Sequence, residues 1–311
     1  MKSQEIFEEH NKEAHEEWEG LAQSYSNGLA QKNLPMMASL ATLAKVPFSK
    51  TILEIGCGPG IGTQFLTLQA PNPSIICALD FSSSMISFCE KYFKEFTNFN
   101  YNPNNSYQIL QNDSKNTKIS LKDDVSKLQN GSHVKFIQGD CENLPFADEQ
   151  FDSCVSSLCL HITKDYHKAL KEIYRVLKKD GHFSFVVWGK ENLSNFRVIE
   201  DICEKHGLII KTKKKFNIAE AEKEVLTYCE SLGFQRMRVS YSNLIRPFDN
   251  EFDFYNGNFD PDLKKQLNEL EKTNPEKVKE IDLEIKTKLH SFFEIEKNVP
   301  SFNMMYVFGH K

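Results

Sequence analysis

The sequence has no long hydrophobic run. Its longest strongly apolar stretch is Phe183–Trp188, whereas a membrane-spanning helix needs about 20 such residues. The acidic first 20 residues have neither the apolar core of a secretory signal nor the Arg-rich, acid-poor composition of a transit peptide. We therefore expect a cytoplasmic protein without a membrane span.

A surplus of positive charge is also absent. The 38 Lys and Arg residues are outnumbered by 43 Asp and Glu, which gives a net charge of −5 and a pI near 6.0. Dedicated nucleic-acid-binding proteins usually carry a basic surface, so a nucleic-acid partner is not expected. No pattern in the sequence sets an oligomeric state.

Closely spaced cysteines are missing too. None of the eight cysteines forms a C-x-x-C pair, which most zinc fingers and thioredoxin-like sites require. His10 and His15 are five residues apart and so fall on different faces of a helix. We predict no metal site, and eight buried or free thiols in a reducing compartment.

The 311 residues, 40% of them hydrophobic, are enough to bury a large core. Short apolar segments alternate with helical ones, and this order predicts a parallel sheet with crossover helices. The fold class is therefore α/β: a doubly wound, mostly parallel seven-stranded sheet with N-terminal helices and a helical C-terminal insertion. The predicted strands are 51–55, 74–79, 134–138, 153–156, 183–188, 234–239 and 304–308.

A glycine-rich turn follows the first predicted strand. Gly56, Gly58 and Gly60 allow backbone conformations closed to other residues and let a ligand lie against bare peptide. Asp80 ends the second strand, 20 residues after Gly60, where an acidic group can accept both hydroxyls of a ribose. Together they predict a nucleoside-containing cofactor.

The same turn excludes several cofactors. The dinucleotide fingerprint G-x-G-x-x-G fails, because its last position is Ile61 or Thr63, depending on the starting glycine. A P-loop sequence is absent as well. A cofactor without a pyrophosphate therefore fits better.

The segment ILEIGCGPG at 52–60 resembles the first motif of class I S-adenosylmethionine (SAM)-dependent methyltransferases. The resemblance is strongest to the branch that contains ubiquinone-pathway and other small-molecule enzymes, and it implies their Rossmann-like fold. The sequence departs from the family in its Asn-rich insertion at 97–132 and in Asp180. Further similar segments follow in the family's order: LDFSSSM (79–85), GDCENLPF (139–146), SSLCLH (156–161) and EIYRVLKKDG (172–181).

The resemblance implies roles at the amino-acid end of SAM. The three glycines, Gly56, Gly58 and Gly60, would line its methionine part, and the backbone near Ser157 would face its amino-acid end. Glu54 would lie beneath and help to hold the ammonium group. The alternative for Glu54 is that it caps nearby backbone N–H groups.

At the nucleoside end, Asp80 would bind the ribose hydroxyls and Phe81 would pack near the adenine. Asp140 would accept a hydrogen bond from the adenine amino group, and the Cys141 N–H would reach a ring nitrogen. An ordinary turn at the end of the strand is the alternative for Asp140.

Three aromatic residues near the expected methyl site have open roles. His161 is the candidate general base, because a neutral imidazole can take a proton from an acceptor; packing or helix capping is the alternative. Trp18 and Tyr25 resemble lid residues that contact cofactor or acceptor, although both also suit the core of an amphipathic helix.

The resemblance implies this domain plan: an N-terminal helical lid over 1–44 and a SAM-binding methyltransferase domain over 45–311. The domain contains the insertion loop at 97–132, helical additions on the substrate side at 190–300, and the closing strand 304–308. Methyl transfer to a small-molecule acceptor is the expected activity. The alternatives are a methyltransferase acting on protein or RNA, and a non-catalytic binding protein with this fold.

Overall fold

The computed structural model describes most of the chain: residues 19, 22–23, 25–26, 30–96, 126–127, 131–195, 197–209, 217–245, 248, 250–258 and 261–311. Trp18 and most of the 97–132 insertion lie outside the described residues. The chain divides into two compact units. The first takes residues from 1–187, 221–240 and 305–311, and the second from 188–220 and 241–304.

Most of an eight-stranded sheet lies in the first unit. Its strands stand in the order β3-β4-β2-β1-β5-β6-β8-β7. The strands in chain order are β1 Thr51–Ile55, β2 Ile75–Asp80, β3 Ser126–Lys127, β4 His133–Gln138, β5 Phe151–Ser157, β6 Leu177–Trp188, β7 Gln235–Ile245 and β8 Ser301–His310.

The five adjacent strands β4, β2, β1, β5 and β6 are parallel to one another. Central parallel strands are covered on both faces, so their sequences are almost continuously apolar. Strand β1 follows this rule, because four of its five residues are buried. The predicted doubly wound, mostly parallel α/β fold is confirmed. The two-residue strand β3, antiparallel to β4, brings the seven predicted strands to eight.

Strand β6 is longer than predicted, beginning at Leu177 rather than at Phe183. The Asp180 N–H donates to the Lys311 carbonyl, and the Lys311 N–H donates to the Gly181 carbonyl. Asp180 has a φ of 62°. Because Lys311 supplies both hydrogen-bond partners, the sequence around Asp180 does not by itself indicate that this segment belongs to a strand.

Helices alternate with these strands along the chain. The first unit contains α1 Ala30–Lys32, α2 Leu34–Leu43, α3 Ile61–Gln69, α4 Ser83–Phe96, α5 Tyr166–Val176 and α8 Glu222–Leu232, with 3-10 turns at Val46–Phe48 and Leu160–Ile162. Asp165 caps α5 by accepting hydrogen bonds from the backbone N–H groups of His167 and Lys168. Gly233, with a φ of 107°, ends α8.

The second unit is helical over most of its length. Asn274 accepts a hydrogen bond from the Lys277 N–H, and Pro275 begins the last long helix. Within the described residues of either unit, no helix is both long and apolar enough to cross a membrane. The helices are α6 Val198–Lys205, α7 Asn217–Glu220, α9 Glu251–Asn258, α10 Pro261–Thr273 and α11 Pro275–His290, followed by a π-turn at Ser291–Ile295.

A cluster of aromatic residues lies in the second unit. Phe254 is buried and packs edge-on against Phe248 and Phe293, and Phe293 contacts the buried Phe292. Phe252, by contrast, is 70% exposed. The four clustered phenylalanines therefore pack with one another, whereas Phe252 faces solvent.

Candidate functional site

The glycine-rich turn after β1 folds back onto the end of β2. The N–H groups of Gly56 and Cys57 both donate to the Leu79 carbonyl, at 2.8 and 3.0 Å. The Gly58 N–H donates to Oδ2 of Asp80 at 2.8 Å. These bonds fix the two predicted halves of the site, the glycine turn and the acidic strand end, against each other.

Two glycines of the turn are required by both conformation and space. Gly56 has a φ of +70°, and a Cβ there would lie 2.5 Å from Cβ of Cys159. Gly60, with a φ of +88°, begins α3, and its Cβ would meet Cys89 Sγ at 3.0 Å. A side chain at either position would adopt a disfavoured left-handed conformation and collide with a cysteine.

An open cleft with about 910 Å³ of empty space lies at the carboxyl ends of β1, β2, β4 and β5. Doubly wound folds bind their ligands at this end of the sheet. The cleft brings together eight of the residues predicted from the sequence: Tyr25, Gly56, Gly58, Asp80, Phe81, Asp140, Cys141 and Ser157.

Asp80 is held in position by the backbone around it. Oδ2 accepts the Gly58 N–H, and Oδ1 accepts the Ser82 N–H at 3.0 Å. Burial raises the pKa of Asp80, and the hydrogen bonds from Ser82, Gly58 and Phe81 partly oppose that rise. The side chain is therefore a preorganised acceptor at the end of β2.

Asp140 follows β4 on the neighbouring side of the cleft. Its Oδ1 accepts the Glu142 N–H at 2.8 Å, so it does form the turn that was the alternative reading of this residue. Its side chain lines the cleft as well. Burial raises its pKa, against the effects of the Glu142 N–H and of Lys168. The turn and a ligand contact are compatible, because only one carboxylate oxygen takes part in the turn.

Glu54 lies outside the lining of the cleft. The residue is 1% exposed, and its Oε2 accepts the Thr63 hydroxyl at 2.6 Å. Burial raises the pKa of Glu54 to about 8; the Thr63 hydrogen bond lowers it and nearby Asp80 raises it. Gly62 makes room for the carboxyl group, because a Cβ there would lie 2.4 Å from Glu54 Oε1.

Gly60 and His161 also lie outside the lining of the cleft. Gly60 shapes the turn and begins α3. His161 is 6% exposed within the 3-10 turn Leu160–Ile162, whose last residue does line the cleft. The general-base role of His161 stays a prediction, as do the ligand contacts of the other site residues.

The loop after Asp140 is held by an ion pair on α5. Arg175 donates to both carboxylate oxygens of Glu172 and to the carbonyls of Leu144 and Phe146. Glu172 in turn accepts the Leu144 N–H at 2.8 Å. The EIYR sequence at 172–175 therefore supports the loop after Asp140, a role that the motif alone did not reveal.

Several lining residues were missed because the resemblance assigned them no role. They lie inside the recognised segments or directly after them, and this position is the signal that could have found them. Leu158, with a φ of 53°, turns the chain away from β5 between Ser157 and Cys159. The missed lining residues include Ser82, Met85, Glu142, Leu158, Cys159, Ile162, Thr163 and Lys164.

Parts of the chain are similar to known methyltransferases. Residues 100–185 match the family model "Methyltransferase domain". The fatty-acid O-methyltransferase of Mycolicibacterium smegmatis is 26% identical over 166 residues, which cover 53% of this chain and 47% of that protein. The ubiquinone/menaquinone biosynthesis C-methyltransferase UbiE of Haemophilus ducreyi is 28% identical over 151 residues, covering 44% and 58%.

Among solved structures, the YcgJ protein of Bacillus subtilis aligns with a TM-score of 0.49 at 17% identity, covering 91% of this chain and 98% of that one. The chain spans about half the length of the curated relatives described above. The family match and these relatives confirm the resemblance to SAM-dependent methyltransferases that the motifs predicted.

Proposed function

We propose that this protein transfers the methyl group of SAM to a small-molecule acceptor by in-line displacement. The observation that carries the proposal is the position of Asp80, fixed by Gly58 and Ser82 at the end of β2 in one cleft with the glycine turn and Asp140. A shared cleft for these groups suits a ligand with a nucleoside at one end and an amino acid at the other.

The residues present fit SAM. Asp80 would accept the ribose hydroxyls, Phe81 would cover the adenine, and the second carboxylate oxygen of Asp140 would accept from its amino group. The exposed backbone of Gly56 and Gly58 would lie along the methionine part. Three carboxyl groups line the cleft, from Asp80, Asp140 and Glu142, and they suit a ligand with positive charges on sulfur and nitrogen.

The bound cofactor supplies a methyl group on a positively charged sulfur, which is already a good leaving group. The protein's task is then to hold the acceptor in line with that methyl group and to keep water out. In well-oriented reactions, such positioning lowers the activation barrier by on the order of 7–11 kcal/mol. The apolar lining residues Ile55, Leu79, Met85, Leu158 and Ile162 help to exclude water.

A small-molecule acceptor is favoured by the turn after β5. Methyltransferases that act on amide or exocyclic amine groups often carry an N-P-P-Y-type tetrapeptide there, and this chain has SSLCLH at 156–161. The two relatives described above are named for a fatty acid and for ubiquinone/menaquinone biosynthesis, and these names refer to small molecules. The cytoplasmic location also remains a prediction.

Ligand-induced thermal stabilisation tests the proposal directly. At 100 times its Kd, SAM or its demethylated product S-adenosylhomocysteine should stabilise the fold by roughly 2.7 kcal/mol. Asp80→Asn should lose most of this stabilisation, because an amide cannot replace both acceptor oxygens. Asp201→Asn is the matched control, since Asp201 is an exposed residue of α6 in the second unit.

No stabilisation of the wild-type protein by either compound would refute the proposed cofactor. The acceptor needs a second experiment, in which labelled SAM is incubated with a cell extract and the label is sorted into small molecules, RNA and protein. Label that appears only in protein or RNA would overturn the small-molecule acceptor while leaving methyl transfer intact.

A further inference from the structure

Glu19 contacts three consecutive serines at the beginning of α4. Its Oε1 accepts the hydroxyl groups of Ser82 and Ser83, at 2.9 and 3.1 Å. The Ser84 N–H donates to both carboxylate oxygens at 3.2 Å, and the Ser84 hydroxyl donates to Oε2. Four donors from one helix start therefore converge on a carboxylate that lies more than 60 residues away in sequence.

The position suits a negative charge. The first N–H groups of a helix have no partner within the helix and carry partial positive charge, and hydrogen bonds to an ionised carboxylate are stronger than neutral ones. Burial acts to raise the pKa of Glu19, but the hydrogen bonds from Ser84, Ser82 and Ser83 outweigh it and lower that pKa to about 2.

One of the three serines belongs to the wall of the cleft. Ser82 lines the cleft, and its N–H donates to Oδ1 of Asp80. The Ser82 hydroxyl accepts the N–H of Met85, another lining residue, and donates its own proton to Glu19. Glu19 is thus one hydrogen-bonded residue away from the predicted ribose-binding carboxylate.

Tyr25, six residues after Glu19, lies near the glycine turn. It lines the cleft, and its Cε1 is 3.7 Å from the position of a Cβ at Gly58. The Tyr25 hydroxyl accepts a hydrogen bond from Asn33 Nδ2 at 2.9 Å. The chain is therefore fixed at Glu19 before Tyr25 and at Asn33 after it.

We propose that Glu19 is a positioning residue for cofactor binding: by accepting the hydrogen bonds of Ser82, Ser83 and Ser84, it holds Tyr25 over the glycine turn and braces Asp80. The inference rests on the proposed function, because the ligand concerned is SAM. Glu19 itself does not line the cleft, so its effect reaches the ligand through Tyr25 and through Ser82.

Loss of this carboxylate should weaken cofactor binding more than it slows turnover. In Glu19→Ala, we expect the Kd for S-adenosylhomocysteine and the KM for SAM to rise about tenfold, mainly through faster dissociation. The kcat at saturating SAM should stay within about twofold. Glu19→Gln keeps the side-chain length and one acceptor oxygen, so it should give an intermediate loss. Glu276→Gln is the control, since Glu276 is an exposed carboxylate in the second unit.

A double-mutant cycle separates positioning from a general loss of stability. Ser84→Ala alone should raise the Kd, and adding it to Glu19→Ala should cause little further loss, because the two changes remove the same contact. Purely additive effects, or an unchanged Kd in Glu19→Ala, would overturn the inference. Failure of the wild type to bind S-adenosylhomocysteine would refute the proposed function, so the two failures are distinguishable.

Discussion

The raised pKa of Glu54 can be tested directly, because its buried carboxyl group makes the free energy of unfolding depend on pH. The side chain is 1% exposed, and burial raises its pKa to about 8 from an ordinary value of 4.5. Between these two pH values the folded protein keeps the proton and the unfolded chain releases it. The folded state is therefore favoured at low pH, and stability falls as the pH rises through this window.

The magnitude follows from the same linkage. A fully developed difference of one bound proton changes the free energy of unfolding by about 1.4 kcal/mol per pH unit. Glu54→Gln is neutral at every pH and keeps a carbonyl oxygen for the Thr63 hydroxyl. From pH 5 to pH 8, we expect the stability of Glu54→Gln relative to the wild type to increase by about 3–4 kcal/mol.

Urea unfolding at pH 5, 6, 7 and 8 measures this difference, with Glu276→Gln as the exposed-carboxylate control. Parallel stability curves for the wild type and Glu54→Gln would refute the raised pKa. Repeating the series with saturating SAM tests the predicted role. If Glu54 helps to hold the cofactor's ammonium group, the positive charge should favour the ionised carboxylate and flatten the wild-type slope.

Two further substitutions test the architecture of the site. Gly56→Ala should lower the free energy of unfolding by about 1–2 kcal/mol because of the left-handed backbone, and by about 1–3 kcal/mol more because of the collision with Cys159. Gly207→Ala is the control, since Gly207 has a φ of +86° and open space where a Cβ would lie. In urea unfolding, Gly207→Ala should show only the backbone effect. Arg175→Lys keeps the charge but loses the fork geometry, so it should cost about 1–3 kcal/mol and raise the Kd for SAM. An unchanged Kd would show that the loop keeps Asp140 in place without Arg175.

The central features of the site could be predicted from the sequence because each depends on short-range spacing. A strand followed by Gly56, Gly58 and Gly60 determines the turn, and Asp80 stands at the end of the next strand. In a parallel sheet the carboxyl ends of neighbouring strands lie on one side. Local spacing and one topological rule were therefore enough to gather these residues in a cleft.

Features that depend on long-range pairing could not be predicted in the same way. The early start of β6 needs Lys311, more than 120 residues away, to supply hydrogen bonds. Glu19 is one acidic residue among many in the N-terminal segment, and its partners Ser82–Ser84 look like an ordinary helix start. The burial of Glu54 beneath α3 could not be predicted either, because it depends on the close approach of Gly62.

Burial raises the pKa of all three carboxyl groups that line the cleft, Asp80, Asp140 and Glu142. Their negative charges lie close enough for Asp140 to raise the pKa of Glu142. Ionising all three in the cleft costs free energy, and that cost would be an odd feature if the cleft served stability alone. A ligand carrying positive charge would offset this cost, so the three carboxyl groups suit the proposed cationic cofactor SAM.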